Sequence, residues 1–414
     1  MKAVIITVGS ELTGGRVLDT NTSFLGRSLD RLGVKVMLTL SVPDDYRQIG
    51  EAINFALGKK PELVVIAGGL GPTEDDLTAP AVAAALGLKM EPNRQAEELV
   101  RSAVDARGEL KPYQAKQAMM PADSIVIRPA GTAPGFIIRA GGATVSALPG
   151  VPYELKSMWE DVVAAPEMAL LLRAARPPAR GCLNFYGVGE AEIGAAAREI
   201  LGKAEPGLEL SICSRRGEIM LEVTSWGGHE DRVKDLISTL KQNFKDLAYS
   251  DGEEIEAVVG AQLTGMGATL AVGESCTGGM LGEAITRVPG ASTFFLGGVT
   301  AYSNNLKKSL LKVRQETLDN VGAVSEPVAQ QLALGARSLT GADYGAGITG
   351  VAGPTGGTPE KPVGLVFICV SSDSGDVVRR FDFPGSRSNV RQSSVTAALH
   401  MLHLKIIADQ SGQR

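Results

Sequence analysis

The residues best suited to chemistry in this chain fall in four short segments of its last third. The first is Gly273-Glu274-Ser275-Cys276-Thr277-Gly278-Gly279, which follows a strand-like run at Ala268–Val272 and opens a helical pattern. Backbone N–H groups at a helix N-terminus are unpaired and partly positive, so an oxyanion or a phosphate is stabilised there. A Ser275 hydroxyl in that turn could attack a carbonyl while neighbouring N–H groups hold the developing oxyanion. Capping is the competing role, since Ser275 and Thr277 are both ordinary helix caps, and the segment by itself suits that role better. Cys276 is a rival nucleophile on chemistry alone.

The second segment, Ala301-Tyr302-Ser303-Asn304-Asn305-Leu306-Lys307, follows the apolar run 294–300. It therefore lies at the C-terminal edge of a strand, where open α/β sheets bind ligands. Lysine becomes a usable base when burial lowers its pKa, so Ser275 with Lys307 would form a Ser–Lys pair that needs no histidine. The alternative makes Lys307 and Lys308 solvated charges on a helix start, and Lys308 is assigned to it. The third segment is Thr349-Gly350-Val351-Ala352-Gly353-Pro354-Thr355-Gly356-Gly357. Its glycines let backbone approach a ligand and form an anion nest, although flexible surface turns share the pattern. In the fourth, Arg387 and Arg391 are four apart. A helix puts both on one face, toward a phosphate or carboxylate; two exposed arginines are the alternative.

In the first half the strongest signal is Ala67-Gly68-Gly69-Leu70-Gly71-Pro72-Thr73-Glu74-Asp75-Asp76. Glycines after a buried strand admit a phosphate, and Asp75 and Asp76 could hold a hard cation that bridges to it. Acidic residues also favour a helix start, and both roles can hold at once. Ser10-Glu11 follows the first strand, and Asp19-Thr20-Asn21 caps the first helix. Glu11 and Asn21 thus join Gly68, Gly69, Gly71 and Thr73 as candidate ligand contacts.

Composition narrows the chemistry. Histidine occurs three times, at 229, 400 and 403, and no Cys-x-x-Cys pair is present. A His-rich zinc site is therefore disfavoured, and the absence of G-x-S-x-G disfavours a Ser-His-Asp hydrolase. Acid–base work falls to Lys, Asp, Glu or Tyr. Fifty glycines in 414 residues is about 12%, against ~7% on average. A net charge of −5 with no basic stripe argues against nucleic-acid binding as the main role. No stretch approaches the ~18–20 apolar residues of a membrane span, and the N-terminus lacks the pattern of a secretory leader. Four widely spaced cysteines suit a reduced cytoplasm.

These segments need elements to position them. Strands are expected near 3–8, 34–41, 62–67, 124–128, 135–139 and 143–148, with helices near 21–32, 46–58, 78–86, 92–107 and 153–172. Such alternation predicts a doubly wound sheet with helices on both faces. Arg173–Pro178 reads as a linker. A small α+β module follows at roughly 180–248, with a helix at 189–202, strands at 208–214 and 217–225, a helix near 230–245 and no chemical motif. Alternation resumes after Asp251, with a helix at 253–265 and a closing helix at 388–408. The expected fold class is α/β: two three-layer α/β domains joined by a small α+β middle domain, bounded as 1–172, 173–250 and 251–414.

Together the four C-terminal segments resemble the nicotinamide-mononucleotide deamidase domain of the competence/damage-inducible CinA family. The matching features are the G-E-S-C-T-G-G turn, A-Y-S-N-x-x-K, Gly322-Ala323-Val324-Ser325, T-G-x-A-G-P-x-G-G and F-x-G-x-R-x-x-x-R, over about 160 residues. The resemblance implies cofactor-free hydrolysis of the carboxamide of nicotinamide mononucleotide to nicotinate mononucleotide and ammonia. By position it implies Ser275 as nucleophile and Lys307 as its base, with Tyr302 and Thr277 assisting. It places Gly278, Gly279, Gly350, Ala352, Gly353, Gly356, Gly357, Arg387 and Arg391 at the substrate.

The first 165 residues or so resemble the MoaB/MogA-type molybdopterin-binding domain found at the N-terminus of the same family. That likeness rests on Gly9-Ser10-Glu11-Leu12, Asp19-Thr20-Asn21, the glycine–aspartate segment, Lys116-Gln117-Ala118, Gly131-Thr132-Ala133-Pro134-Gly135 and Leu148-Pro149-Gly150-Val151-Pro152. In that family the domain is linked to ADP-ribose pyrophosphatase activity with a divalent metal (Mg, Mn or Co), here assigned to Asp75 and Asp76. Two positions depart from the pattern: Thr13 replaces the usual Leu, and Arg128 an expected Asn.

The sequence thus predicts a cytoplasmic, bifunctional hydrolase of pyridine-nucleotide salvage. Its partners are nicotinamide mononucleotide and ADP-ribose, without direct nucleic acid or membrane. A homodimer is expected by analogy with small middle modules that serve as dimer arms. One alternative makes the N-terminal domain a non-catalytic nucleotide or pterin binding module. Another is a competence-related regulatory scaffold, against which the acidic charge counts.

Overall fold

Three parallel strands open the chain: β1 (Lys2–Val8), β2 (Lys35–Val42) and β3 (Leu63–Ala67). Beyond Lys2 every residue of β1 is buried, and its side chains divide between two cores. Val4, Ile6 and Val8 belong to one, Ala3 and Ile5 to the other; β3 divides the same way. Successive strand side chains point to opposite faces, so strands apolar throughout must be covered on both. Helices Tyr46–Gly58 and Thr78–Ala85 cover one face through Ile49, Ile53 and Val82. Helices Thr20–Arg31 and Pro152–Ala164 cover the other through Leu25, Leu29 and Trp159. This is a three-layer α/β arrangement.

The first sheet is completed out of order. β4 (Met90–Pro92) and β5 (Met119–Pro121) form a separate antiparallel pair. β6 (Ile125–Ile127), β7 (Gly135–Ala140) and β8 (Ala143–Leu148) then join the main sheet, ordered β2-β1-β3-β8-β7-β6. β8 runs parallel to β3, while β7 is antiparallel to both β8 and β6, so the sheet is mixed. The β4–β5 pair was not expected, because three-residue strands are too short to show a period of two. The helix expected over 153–172 divides into Pro152–Ala164 and Pro166–Leu172, since Pro166 lacks an N–H and suits a first helical position. Of the helix expected at 92–107, Arg94–Ala103 is helical, and residues 105–107 lie outside the described residues.

A computed structural model gives these coordinates and describes residues 1–104, 110–140, 142–201, 207–226, 229–245 and 247–412. They form two compact units, Met1–Pro178 and Ala179–Arg414.

The second unit begins with an antiparallel sheet of β9 (Ala179–Tyr186), β10 (Leu208–Arg215), β11 (Glu218–Ser225) and β12 (Ala248–Ser250), ordered β10-β11-β9-β12. Helices Glu190–Leu201 and Glu230–Asn243 cover one face, where Leu183, Phe185, Leu221 and Val223 meet Ile193, Leu236 and Leu240. The helix expected to reach 202 ends at Leu201, and residue 202 lies outside the described residues. On the other face Tyr186 stacks on His400 with ring centroids 3.9 Å apart. Nε2 of His400 lies 2.8 Å from Glu218, which also accepts from the Tyr249 hydroxyl at 2.7 Å. His400 belongs to the closing helix Arg387–Gln410, so this small sheet packs onto the last helix and shares one unit with it. β9 and β12 were not expected. Polar Arg180 and Asn184 blur the alternation in β9, and β12 is only three residues long.

The second α/β sheet follows: β13 (Leu270–Glu274), β14 (Phe295–Thr300), β15 (Tyr344–Gly350), β16 (Leu365–Ser372) and β17 (Gly375–Asp382), ordered β14-β13-β15-β16-β17. The first three strands in that order are parallel; β16 runs antiparallel to β15, and β17 antiparallel to β16. Ile255–Met266 and Arg387–Gln410 cover one face through Val259, Leu263, Leu399 and Leu402. Glu326–Thr340 covers the other through Val328, Leu332 and Ala336. After β13 the chain adds β14 on one side and β15 on the other. Such a switch of direction opens a crevice at the C-terminal ends of these strands. Among the described residues no helix is long and apolar enough to cross a membrane.

Candidate active sites

Glu274 shapes the reactive turn of the second α/β sheet. It ends β13 at 2% exposure, and its carboxylate accepts from the N–H groups of Gly279 (3.0 Å), Leu281 (3.0 Å) and Gly282 (2.9 Å). A buried carboxylate persists only with such donors, and bonds to an ionised acceptor are among the stronger ones. The helix Met280–Thr286 is therefore capped from within the turn. This corrects the expectation that its free N–H groups await an oxyanion. The capping role considered for Ser275 and Thr277 fails too, since the N-cap is Gly279 and no side-chain hydroxyl serves it.

With capping removed, Ser275 and Thr277 are available for other work. Ser275 is buried directly after β13, and its N–H donates to the Ile348 carbonyl at 3.0 Å. Among the described residues the buried Thr277 hydroxyl has no hydrogen-bond partner, and neither has Nε of Arg391. Arg391 donates from Nη2 to the Thr277 carbonyl at 2.6 Å, which brings the two unpartnered groups to adjoining residues. Buried polar groups normally find partners, so this corner has hydrogen-bonding capacity to spare.

Lys307 stands in the short helix Asn304–Ser309, at 2% exposure. Its Nζ donates to the carbonyls of Ala301 (3.0 Å) and Tyr302 (3.1 Å); among the described residues its hydrogen bonds run there and not to Ser275. Burial holds its pKa below the ordinary lysine value, against an opposing pull from the Cys276 thiol beside Ser275. That same burial pushes the Cys276 thiol up to about 11, so little of the reactive thiolate forms near neutrality. Lys308 is half-buried and donates to Gln315 at 2.6 Å.

The closing helix ties the loops together. Arg387 donates to the Gly353 carbonyl (2.8 Å) and to the Tyr302 hydroxyl (3.1 Å), joining the loop after β15 to the segment after β14. Arg391 joins the turn after β13. The two arginines therefore use one helix face, as their spacing predicts, and both turn toward the crevice. Gly278 and Gly279 belong to the capped turn, and Gly350 ends β15. Ala352 and Gly353 are buried beside it, whereas Gly356 and Gly357 lie in the exposed part of the same loop.

The first sheet carries a cavity of about 550 Å³ at the C-terminal ends of β1, β3 and β8. Six acidic side chains among the described residues line it: Glu11, Asp19, Asp44, Asp75, Asp76 and Glu154. No Lys, Arg or His is among its described lining residues. Asp76 accepts from the Thr73 N–H (2.8 Å) and hydroxyl (2.7 Å), and Asp75 accepts from the same hydroxyl. The Thr73 bond holds the exposed Asp75 carboxyl below its usual range. Lys116 anchors the turn by donating to the Thr73 carbonyl.

Gly68 and Gly69 have φ of 112° and 66°. A side chain at Gly68 would strike the Val8 carbonyl, and one at Gly69 the Thr78 hydroxyl, which itself donates to the Gly68 carbonyl at 2.8 Å. Those glycines therefore serve packing as well as ligand approach. Asp19 caps its helix by accepting from the Thr22 N–H at 2.8 Å, as expected. Asn21 donates to the Gly150 carbonyl at 2.7 Å, and its buried Oδ1 has no partner among the described residues. Among the described residues no group of three or more His, Cys, Asp or Glu could hold a metal alone. A magnesium-like ion, however, is commonly held by one or two carboxylates with waters and substrate phosphates, and Asp75 with Asp76 fit that mode.

Four residues of the two sites are not marked as candidates by the sequence: Asp19, which it assigns only to capping, Glu274, Asp44 and Glu154. Glu274 was legible in principle, as the one charge at the end of a buried apolar strand. Asp44 and Glu154 follow β2 and β8 closely, and only the strand order brings them beside Gly68–Asp76.

Residues 252–406 match the family described as CinA C-terminal domain, and residues 4–169 the family described as probable molybdopterin binding domain. A CinA-like protein of Citrifermentans bemidjiense is 38% identical over 405 residues, covering 97% of either chain. The chain belongs to the CinA family. Another CinA relative, a putative competence-damage inducible protein of Moorella thermoacetica, is 37% identical over 97% of this chain and 98% of its own. Among solved structures, a CinA protein of unknown function from Thermoplasma acidophilum covers 40% of this chain and 98% of its own, at 36% identity and a TM-score of 0.38. The molybdopterin biosynthesis enzyme MoaB from Thermus thermophilus covers 42% of this chain and 98% of its own, at 22% identity and a TM-score of 0.31. Every candidate residue of the crevice lies within the CinA C-terminal match, and every one of the acidic cavity within the other.

Proposed function

We propose that this CinA-family chain is a bifunctional hydrolase of pyridine nucleotides, deamidating nicotinamide mononucleotide in its C-terminal domain and cleaving ADP-ribose in its N-terminal domain. The first activity rests on one observation: the Ser275 turn, a lysine of lowered pKa and two arginines converge on a single crevice. In the proposed reaction Ser275 Oγ attacks the carboxamide carbon and Lys307 takes its proton, leaving the carbonyls of Ala301 and Tyr302. The C–N bond breaks and ammonia departs with that proton; water then hydrolyses the acyl-serine to nicotinate mononucleotide. The unpartnered Thr277 hydroxyl donates to the developing oxyanion, and Tyr302 is steadied by Arg387. Arg391 and the glycine loop hold the phosphate. Serine is favoured over Cys276 because burial keeps the thiol protonated. Incubation with nicotinamide mononucleotide should release ammonia and leave a trapped acyl mass on the Ser275 peptide. An active enzyme with the adduct on Cys276 would reverse the assignment.

The second activity rests on the charge of the cavity. Six carboxylates with no cationic side chain among the described lining residues would repel a pyrophosphate unless a cation intervenes. Asp75 and Asp76 would hold a divalent metal, which when bound neutralises charge on phosphate oxygens. Gly68–Gly71 allow backbone to approach the same group, and Asn21, which lines the cavity, has an Oδ1 with no partner among the described residues. ADP-ribose should yield AMP and ribose 5-phosphate only with added magnesium, manganese or cobalt. Tight ADP-ribose binding with no turnover under any of these metals would make the domain a binding module.

A further inference from the structure

Where the small antiparallel sheet meets the helices of the second α/β sheet, a cavity of about 210 Å³ remains. Pockets for drug-sized ligands run to ~300–1,000 Å³, so an occupant of this one is compact. Its walls are the β10–β11 turn with the start of β11, the first turn of the helix Ile255–Met266, the helix Met280–Thr286, and the closing helix. Two of these elements also serve the crevice. The helix Met280–Thr286 begins at the turn of Ser275 and Thr277, and Gln392 in the wall follows Arg391.

The polar groups of this cavity are buried and incompletely matched. Glu218 and Glu256 are each 8% exposed, and Thr396 is buried as well. Oε1 of Glu218 takes the bonds from both Tyr249 and His400, and among the described residues Oε2 has none. The Glu256 carboxylate lies 3.5 Å from Arg287 and 3.9 Å from Arg216. Among the described residues neither that carboxylate nor the Thr396 hydroxyl makes a hydrogen bond. Arg287 is engaged elsewhere, by two contacts of 3.0 Å to Glu283. Arg216 is not: its side chain is three-quarters buried, and its guanidinium makes no hydrogen bond among the described residues. Buried polar groups normally find partners, and a charge left without one is costly. Here two carboxylates and a guanidinium stand with spare capacity around one void, beside the apolar Ile255, Met280 and Leu399.

A molecule that satisfies both sides carries a cationic donor and an anionic acceptor close together. An α-amino acid holds that pair on one carbon, with a side chain left for apolar walls. We propose that this cavity binds a free α-amino acid with an apolar side chain, its ammonium on Glu256 and Glu218 and its carboxylate on Arg216. An occupant joins the two elements that carry the Ser275 turn and Arg391, so less ordering is left when substrate binds, and the two ligands favour each other. This coupling rests on the deamidase reading; the binding site does not.

The test uses the full chain and three probes: L-leucine, 3-methylbutylamine, which lacks its carboxylate, and 4-methylpentanoate, which lacks its ammonium. In calorimetry leucine should bind about tenfold or more tightly than either half, since each half forgoes a charged hydrogen bond. Arg216→Ala should weaken leucine about tenfold and leave the amine unchanged, while Glu256→Gln should weaken leucine about tenfold and leave the acid unchanged. Leucine should lower the KM for nicotinamide mononucleotide about fivefold, and Arg216→Ala should remove that effect without altering the KM measured in its absence. The proposal is overturned if leucine does not bind at millimolar concentration, if either half binds as tightly as leucine, or if both variants leave leucine unchanged. Leucine that binds without moving the KM would remove the coupling and keep the site. Leucine binding that both variants weaken, with no ammonia released under any condition, would keep the site and reject the deamidase reading.

Discussion

The two α/β domains place their candidate sites at the same edge of similar sheets and furnish them with opposite charge. The C-terminal crevice gathers Lys307, Arg387 and Arg391, and the buried carboxylate of Glu274 beside it is satisfied by three N–H groups. The N-terminal cavity gathers six carboxylates among the described residues. Architecture supplies the edge, and loop residues decide what can bind there. On the proposed function, an anionic substrate would meet protein cations in one domain and call for a metal in the other.

Residue types alone would not have separated a site from scaffolding. A direct Ser–Lys hydrogen bond, which Ser275 and Lys307 do not make, joins Ser374 and Lys405 near the start of β15. There Asp409 is bonded by Lys405, Ser374, Ser372 and Tyr344; burial alone would raise its pKa, yet these bonds carry it down to about 2. That network is closed, whereas the crevice keeps unpartnered groups.

The contrast can be broken experimentally. Ser275→Ala should lower deamidation about 10³-fold or more, by loss of the nucleophile, with ADP-ribose cleavage and metal response unchanged. Asp75→Asn with Asp76→Asn, or a chelator, should lower ADP-ribose cleavage about 10²-fold and leave ammonia release intact; loss of both activities on chelation would erase the distinction. Glu274→Gln removes the charge that three N–H groups face, so thermal unfolding should show a loss of about 1–3 kcal/mol in the unit that contains it.

The smallest effect concerns pH. Burial lowers the pKa of Lys307 from 10.5, so the neutral base grows as pH rises, and kcat/KM for deamidation should climb to a plateau with a midpoint below that value. Between the folded and unfolded pKa values the unfolded chain binds more protons, so stability also rises with pH through that window. Lys307→Arg should abolish the rising limb. A profile unchanged by it would assign the proton transfer to another group.

Much of the scaffold was readable because β1 and β3 are apolar without interruption and must be covered on both faces. Helix Tyr46–Gly58 was equally plain, with Asp45 accepting from the Gln48 N–H at its start. Polar residues hid β9, and shortness hid β4, β5 and β12. Strand ends located Ser275 and Lys307, but no spacing rule says which N–H groups a glutamate will face. For that reason Glu274 was quoted in a motif without its role. Asp44 and Glu154 reach the cavity through the order β2-β1-β3-β8, a long-range fact that local pattern does not carry.

The imidazole of His400 has Tyr186 stacked flat on it and Tyr249 edge-on, with its nitrogen on Glu218. All three partners come from the small antiparallel sheet, while the imidazole comes from the helix whose N-terminal end carries Arg387 and Arg391. Melting the small sheet would wet this ring and strip one side of the helix. Residues 179–414 should therefore lose structure in a single cooperative transition, and a chain beginning at Asp251 should melt earlier than the whole unit, through a helix that has lost its outer packing.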